Sequence, residues 1–311
     1  MSDHQQPTSM DHEMTPPVSD ANPRISYHGP RTTGYWSLII RPKTAWFDLH
    51  LSDLWRCRDL TLLFVWRDFV AQYKQTILGP LWHIIQPLCT TLLFTLIFGR
   101  VAKLPTDDLP PMLFYMAGIT CWNYFSECLN RSAVTFIQNA GIFGKVYFPR
   151  LCVPVSVVLS NLIKFSIQFG LFLCFMGYYY ARGSPIHPNF YILLSPILLV
   201  LMAALGLGAG IIVSSLTVRY RDLQVLITFG VQLAMYATPV IIPLSQAHGK
   251  YRLLMLANPM SALIETFRHA FLGSGTFEPV TLLYSALATG VILAVGLVLF
   301  NLVERTFMDT V

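Results

Sequence analysis

The sequence predicts an all-α integral membrane protein: six transmembrane helices, an N-terminal interfacial amphipathic helix and an outer re-entrant helical segment. Three observations carry this. Only 37 of the 311 residues are charged, or 12%, and mean hydropathy is +0.54, whereas a soluble globular domain carries roughly 25% charge. Sixteen of those charges precede residue 78, so the remaining 234 residues are about 9% charged and face mostly lipid. Long charge-free runs then recur along the chain. Disordered, collagen-like and disulfide-scaffold readings are excluded by the hydrophobicity and by ordinary Gly, Pro and Cys counts.

Residues 1–45 are rich in Pro, Ser, Thr, Asp and His without a sustained apolar period, and read as a disordered cytoplasmic tail. No apolar stretch of signal-peptide type follows Met1, so the start of the chain is expected to stay in the cytoplasm. Residues 46–77 hold a surface helix, with Ser52 as N-cap. At a helical turn per 3.6 residues, Trp55, Leu62, Trp66, Phe69 and Tyr73 share one face, and Arg56, Arg67 and Lys74 another. Such a helix lies in the membrane interface rather than crossing it.

Crossing a hydrocarbon core of about 30 Å takes about 20 apolar residues. Spans are expected at 78–99, 111–135, 154–181, 190–216, 223–242 and 280–303, together a permease-like domain over 78–303, followed by a cytoplasmic C-terminus at 304–311. The stretch from Leu253 to Leu272 is split by Asn258-Pro259 and carries Glu265 and Arg268. After Pro259 it is only about 20 Å long as a helix, too short to cross, and suits a re-entrant or surface helix on the outer side. With six spans both termini face the cytoplasm. The inner side then receives eight Lys and Arg before residue 78 and Arg131, Lys145, Arg150, Arg219, Arg221 and Arg305, fourteen in all; the outer side receives Arg100, Lys103, Arg182, Lys250, Arg252 and Arg268. That bias obeys the positive-inside rule.

Chemistry-bearing motifs are scarce. The nearest approach to a phosphate-binding loop, Gly141 to Val146, lacks the spacing and the hydroxyl that would hold magnesium, so the chain is not expected to hydrolyse ATP. H-E-x-x-H and G-x-S-x-G are absent. The six cysteines form no C-x-x-C pair and read as small hydrophobes. The basic residues do not cluster with aromatics as a nucleic-acid surface would require. Asp107-Asp108 sits in a short outer loop between prolines, either a solvated turn or the metal-binding pair of a membrane glycosyltransferase. Mid-membrane charge is limited to Lys164 in the third span and Glu127 in the second. They could pair across helices, Lys164 could snorkel, or both could touch a ligand. His83, beside Trp82, reads as a satisfied interfacial group. Trp122, Tyr124 and Phe125 offer aromatic planes of the kind sugar rings stack on, though aromatic residues also form interface belts, as Tyr178, Tyr179 and Tyr180 would. Two inner loops look suited to a partner: the apolar stretch around Ile142 to Arg150, and Val218 to Asp222, which plain anchoring would also explain.

Four motifs resemble a family. R-D-F-V-A-Q-Y-K-Q-T-I-L-G-P-L-W-H-I-I-Q-P from Arg67, K-V-Y-F-P-R from Lys145, V-R-Y-R-D-L from Val218 and N-P-M-S-A-L-I-E-T-F-R from Asn258 occur in the order found in permease subunits of type-2 ABC exporters for lipid-linked polysaccharides. O-antigen exporters are the nearest match, with capsule, teichoic-acid and drug exporters as relatives. The resemblance covers about residues 50–311. It implies an inner-membrane homodimer paired with two copies of a separate ABC ATPase, which binds ATP and Mg, and a cargo of undecaprenyl-pyrophosphate-linked polysaccharide. No cofactor is implied for this chain. Arg56, Arg67, Asp68, Tyr73 and Lys74 fall in the cytoplasmic gate and ATPase contact. Ile142, Phe143, Gly144, Lys145, Val146, Tyr147, Phe148, Pro149 and Arg150 resemble the coupling helix, and Asn258, Pro259, Glu265 and Arg268 the outer re-entrant gate. Trp122, Tyr124 and Phe125 would lie along the glycan pathway. Gln72 stands where the family usually has Arg before Tyr73, which removes a positive charge from the gate, and Met308 replaces the small residue usual before Asp309.

Overall fold

In the computed structural model every regular element of the described residues is helical. Those residues are 55, 57–74, 76–135, 138, 139, 141, 150–217 and 222–309, with side chains of the last helix described to 302. The tail, Ser52, Arg56, the docking stretch 142–149 and residues 218–221 lie outside them.

Helix α1 (Arg58–Tyr73) is the surface helix. Thr61 and Phe64 are its buried residues, and Phe64 joins Cys152, Val153, Ile211 and Phe300 in a small apolar cluster. Trp55, Leu62, Leu63 and Trp66 remain exposed, Trp66 at 65%. Covering such a side chain is worth about 1.5–3 kcal/mol, so a face with two Trp and two Leu outward fits an interface helix that uses lipid for that burial.

The first span, Gly79–Val101, is built from a 3₁₀ turn (Gly79–Leu81), helix α2 (Trp82–Phe94) and a π-helical end (Thr95–Val101). Helix α3 (Pro111–Ala133) begins on Pro111, whose missing N–H costs nothing in the first turn. It is the central helix, with sixteen of its residues buried, and it packs against α2 and against α4 (Cys152–Ala181), α5 (Ser195–Thr217) and α8 (Pro259–Leu272). A 3₁₀ turn, Phe190–Leu194, leads into α5. Helix α6 (Leu223–Ala234) ends in a further turn, Met235–Ala237; α7 (Gly249–Ala257) precedes α8, and α9 (Pro279–Asp309) closes the chain.

Close backbone approach holds the bundle together where α5 crosses α3. A Cβ on Gly210 would stand 2.5 Å from Ser132 Cβ and 2.7 Å from the Leu129 carbonyl oxygen, so only glycine fits. The larger core is aromatic: Phe169 and Phe172 of α4 meet Phe267 and Phe271 of α8 with ring centroids 5.3–6.1 Å apart.

Among the described residues, four helical stretches are long and apolar enough to cross a membrane: Gly79–Val101, Cys152–Ala181, Phe190–Thr217 and Pro279–Leu302. The other two expected spans depart from this for different reasons. Helix α3 has 23 residues, about 35 Å, but Asn123, Ser126, Glu127, Asn130 and Arg131 lower its hydropathy, and neighbouring helices enclose most of it. Helix α6 with its turn stops at Ala237, not near 242, and reaches only about 22 Å. Pro239 is the cause: the residue before a proline avoids the helical region, and Thr238 is extended (φ −128°, ψ 160°).

The outer segment divides where the sequence suggests. The Asn258 side chain accepts a hydrogen bond from the Met260 N–H at 3.0 Å and caps α8, Pro259 fills the first turn, and Gly273 ends the helix in the left-handed region (φ 74°).

Candidate functional site: a polar cavity and a buried outer brace

Two polar constellations interrupt the apolar bundle, the first open to the surface at Glu127 and the second buried. The first is a cavity of about 320 Å³ between the end of α1, the start of α2 and the facing sides of α3 and α4. From α3 come Asn123, Glu127 and Arg131, four residues apart and therefore on one face; from α4 come Asn161, Lys164 and Gln168, at spacings of three and four. Lys164 Nζ and Arg131 Nε both lie 3.2 Å from Glu127 Oε2. Arg131 Nη2 donates to Gln72 Oε1 at 3.2 Å, and the Gln72 amide nitrogen lies 3.2 Å from His83 Nε2. Asn123 Nδ2 contacts Gln168 Oε1 at 3.4 Å. Thus the last turn of α1 is hydrogen-bonded to α3 through Gln72 and Arg131.

Tyr73 borders this cluster, its ring 4.6 Å from Phe69 and 5.7 Å from His83. Burial raises its phenol above the ordinary range, and the Arg131 charge opposes the rise. Arg67 donates to its neighbour Asp68 at 2.7 Å and lies over the Phe64 ring, while Lys74 is exposed. The gate residues therefore divide: Tyr73 adjoins the cavity, and Arg67 and Asp68 form a local pair. Of the glycan-pathway candidates, Tyr124 lines the cavity and packs on Phe165, with centroids 5.0 Å apart. Trp122 and Phe125 pack on each other within the main core. In the docking stretch only Arg150 is described, and it is buried.

The second constellation is on α8. Arg268 is 1% exposed and donates to the carbonyls of Pro239, Val240 and Phe114, with its guanidinium 3.7 Å from the Phe114 ring centroid. Glu265, one turn earlier, lies 3.5 Å from Arg268 Nη1 and accepts from the Leu244 and Thr276 N–H groups. Asp107 joins the same assembly: its side chain accepts from Ser245 at 2.7 Å and its carbonyl from Ser274 at 3.0 Å. Asp107 and Asp108 are left-handed (φ 49° and 61°), as short polar residues in tight turns can be. Asp107 thus braces two loops, one through its carboxylate and one through its main-chain carbonyl, and among the described residues no group of three or more His, Cys, Asp or Glu could hold a metal ion.

The pairing of Lys164 with Glu127 is one of the sequence alternatives, whereas Arg131, Asn161 and Gln168 are members of the site that the sequence analysis does not name as such. The usable signal was a polar stripe at helical spacing on two otherwise apolar helices.

A helical bundle with several apolar helices long enough to cross a membrane and a polar cavity between them has the architecture of a membrane transport protein. The chain belongs to the ABC-2 type transporter family, which matches residues 59–272. It is similar to the O-antigen export system permease protein RfbA of Klebsiella pneumoniae, 28% identical over 81% of this chain and 94% of that protein, and to RfbA of Myxococcus xanthus, 30% identical over 71% and 83%. The polysialic acid transport protein KpsM of Escherichia coli is 24% identical over 78% of this chain and 93% of its own length.

Proposed function

We propose that this chain is the transmembrane subunit of an ABC exporter that carries undecaprenyl-pyrophosphate-linked polysaccharide, O-antigen in the first instance, out across a bacterial inner membrane. The observation that carries this is the similarity to O-antigen permeases over 94% and 83% of their lengths, supported by the family match and by a polar cavity in a largely apolar bundle. The chain is not itself catalytic. Two copies form a homodimer, and two copies of a separate ATPase bind ATP and Mg and supply the work. Both termini are cytoplasmic in this arrangement, which places the end of α3 and the start of α4 on the ATPase side. Ile142 to Arg150 would seat in the ATPase, the six spans would enclose the passage, and α8 with its loops would form the outer re-entrant gate. Closure of the ATPase pair moves the gates only if the two states differ in contacts at those elements.

The double substitution Phe143→Asp with Tyr147→Asp tests the coupling assignment. ATP hydrolysis by the assembled complex should persist while export of the glycan is lost. Normal export by that variant would remove the assignment. The similarity to the polysialic acid transport protein favours capsule export as the second reading; complementation of export-deficient strains with each cargo separates the two.

A further inference from the structure

Two cysteines far apart in the chain meet where the start of α1 lies against the start of α4. Cys57 caps the first turn of α1 and is partly exposed, whereas Cys152 is the first residue of α4 and is fully buried. Both belong to the small apolar cluster built with Phe64, Val153, Ile211 and Phe300, and the Cys152 thiol meets the side chains of Cys57 and Thr61. Thr61 Oγ1 also donates to the Cys57 carbonyl at 3.3 Å. One hydroxyl therefore touches the backbone of the first cysteine and the sulfur of the second, and the buried Phe64 ring packs α1 onto the same spot. Service as a small apolar group accounts for Cys152. It does not account for a second thiol set against it with access to solvent. The other four cysteines lie apart from this cluster, Cys121 and Cys128 in the main core and Cys89 and Cys174 exposed. A thiol that an oxidant can reach, backed by a second thiol, is the arrangement in which the first is oxidised and the second resolves it.

We propose that Cys57 and Cys152 are a reversible redox pair, oxidised by hydrogen peroxide to a disulfide that clamps the start of α1 to α4. The Cys57 sulfur attacks one peroxide oxygen, the O–O bond breaks, and a sulfenic acid and one water result. The Cys152 sulfur then attacks the Cys57 sulfur, and the hydroxyl leaves with the Cys152 proton as a second water. The two thiols lose two electrons in all, and the peroxide gains them. The transport reading above places this pair on the cytoplasmic side, where thiols are kept reduced and a disulfide is transient and redox-sensing. The clamp restrains a helix whose last turn borders the polar cavity and is bonded to α3 through Gln72. The chemistry of the pair rests on its geometry alone; the effect of the clamp on export rests on the transport reading.

The test exposes the purified full chain in nanodiscs to hydrogen peroxide, blocks the remaining thiols and maps the sulfurs by mass spectrometry of non-reduced peptides. The Cys57 and Cys152 peptides should be recovered joined, and dithiothreitol should separate them. Cys57→Ser should leave Cys152 a free thiol. Cys152→Ser should leave Cys57 as a sulfenic acid that dimedone traps. Recovery of wild-type Cys57 as sulfinic acid with Cys152 still free overturns the proposal, as do links made by Cys89 or Cys174 while this pair stays unjoined. The clamp is read in the complex assembled with its ATPase. Oxidised wild type should lose glycan export and regain it on reduction, whereas Cys57→Ser, changed only at the partly exposed position, should export equally before and after peroxide. Export by the joined wild type at the reduced rate overturns the clamp, as does equal loss in Cys57→Ser. A reduced complex that exports no glycan, although its two peptides join under peroxide, would remove the transport reading and leave the redox pair standing.

Discussion

Arg268 is the bulkiest side chain fully enclosed by the described residues, and its surroundings explain how a guanidinium is tolerated there. Three carbonyls and Glu265 surround it, and the Phe114 ring covers its face. Removing one partner of a buried pair leaves the other charge unpaired, at a cost of about 3–5 kcal/mol. Glu265→Ala should therefore lower the thermal unfolding temperature of the purified chain sharply, and Glu265→Gln, which keeps a carbonyl acceptor for Leu244 or Thr276, by distinctly less; equal losses would show that the carboxylate is not the brace. Tyr73 gives the opposite kind of expectation. Its hydroxyl is buried without a hydrogen-bond partner, so Tyr73→Phe should change stability by no more than about 0.5 kcal/mol, whereas Tyr73→Ala removes ring contacts with Phe69 and His83 worth about 0.5–1.5 kcal/mol each beyond their area. At this scale the sequence disclosed Glu127 and Lys164 because charges stand out in apolar helices. It did not disclose which groups share the cavity with them, since Gln72 and Arg131 meet across 59 residues of chain and that meeting depends on how α1 lies against α3.

Helix ends were the most legible elements. Asn258-Pro259 marks the start of α8 through a side-chain cap and a fixed backbone angle, both local chemistry. Asn258→Ala should cost about 1 kcal/mol in the same unfolding experiment. Helix α6 was less legible: the apolar run continues past Ala237, so hydropathy extends a helix that Pro239 has already prevented at Thr238. Helix α3 was legible in spite of its polar middle: the sequence places a helix at 111–135 and the structure has Pro111–Ala133, although the polar residues lower its hydropathy. Packing between α3 and α5 can be tested by filling the contact at Gly210. Gly210→Ala puts a methyl against Ser132 and the Leu129 carbonyl, and overpacking of this kind costs about 1–3 kcal/mol. A variant as stable as the wild type would show that the two helices can separate freely.

At the scale of the molecule, the loops carrying Asp107, Val240, Leu244 and Thr276 are tied to α8 by side chains from within it or by the Asp107 bridge. Helix α8 and these loops therefore form one hydrogen-bonded unit. The polar cavity is tied across four helices by the Arg131–Gln72, Gln72–His83, Lys164–Glu127 and Asn123–Gln168 contacts, and the end of α1, which carries an exposed apolar face, borders it. In the transport reading proposed above, movement of the cargo depends on energy from another polypeptide. The most direct measurement is glycan translocation into proteoliposomes containing the purified chain with and without a separate ABC ATPase. Uptake should require the ATPase and hydrolysable ATP together, and the chain alone should be inert. Translocation or chemical alteration of the cargo by the chain alone would contradict the account.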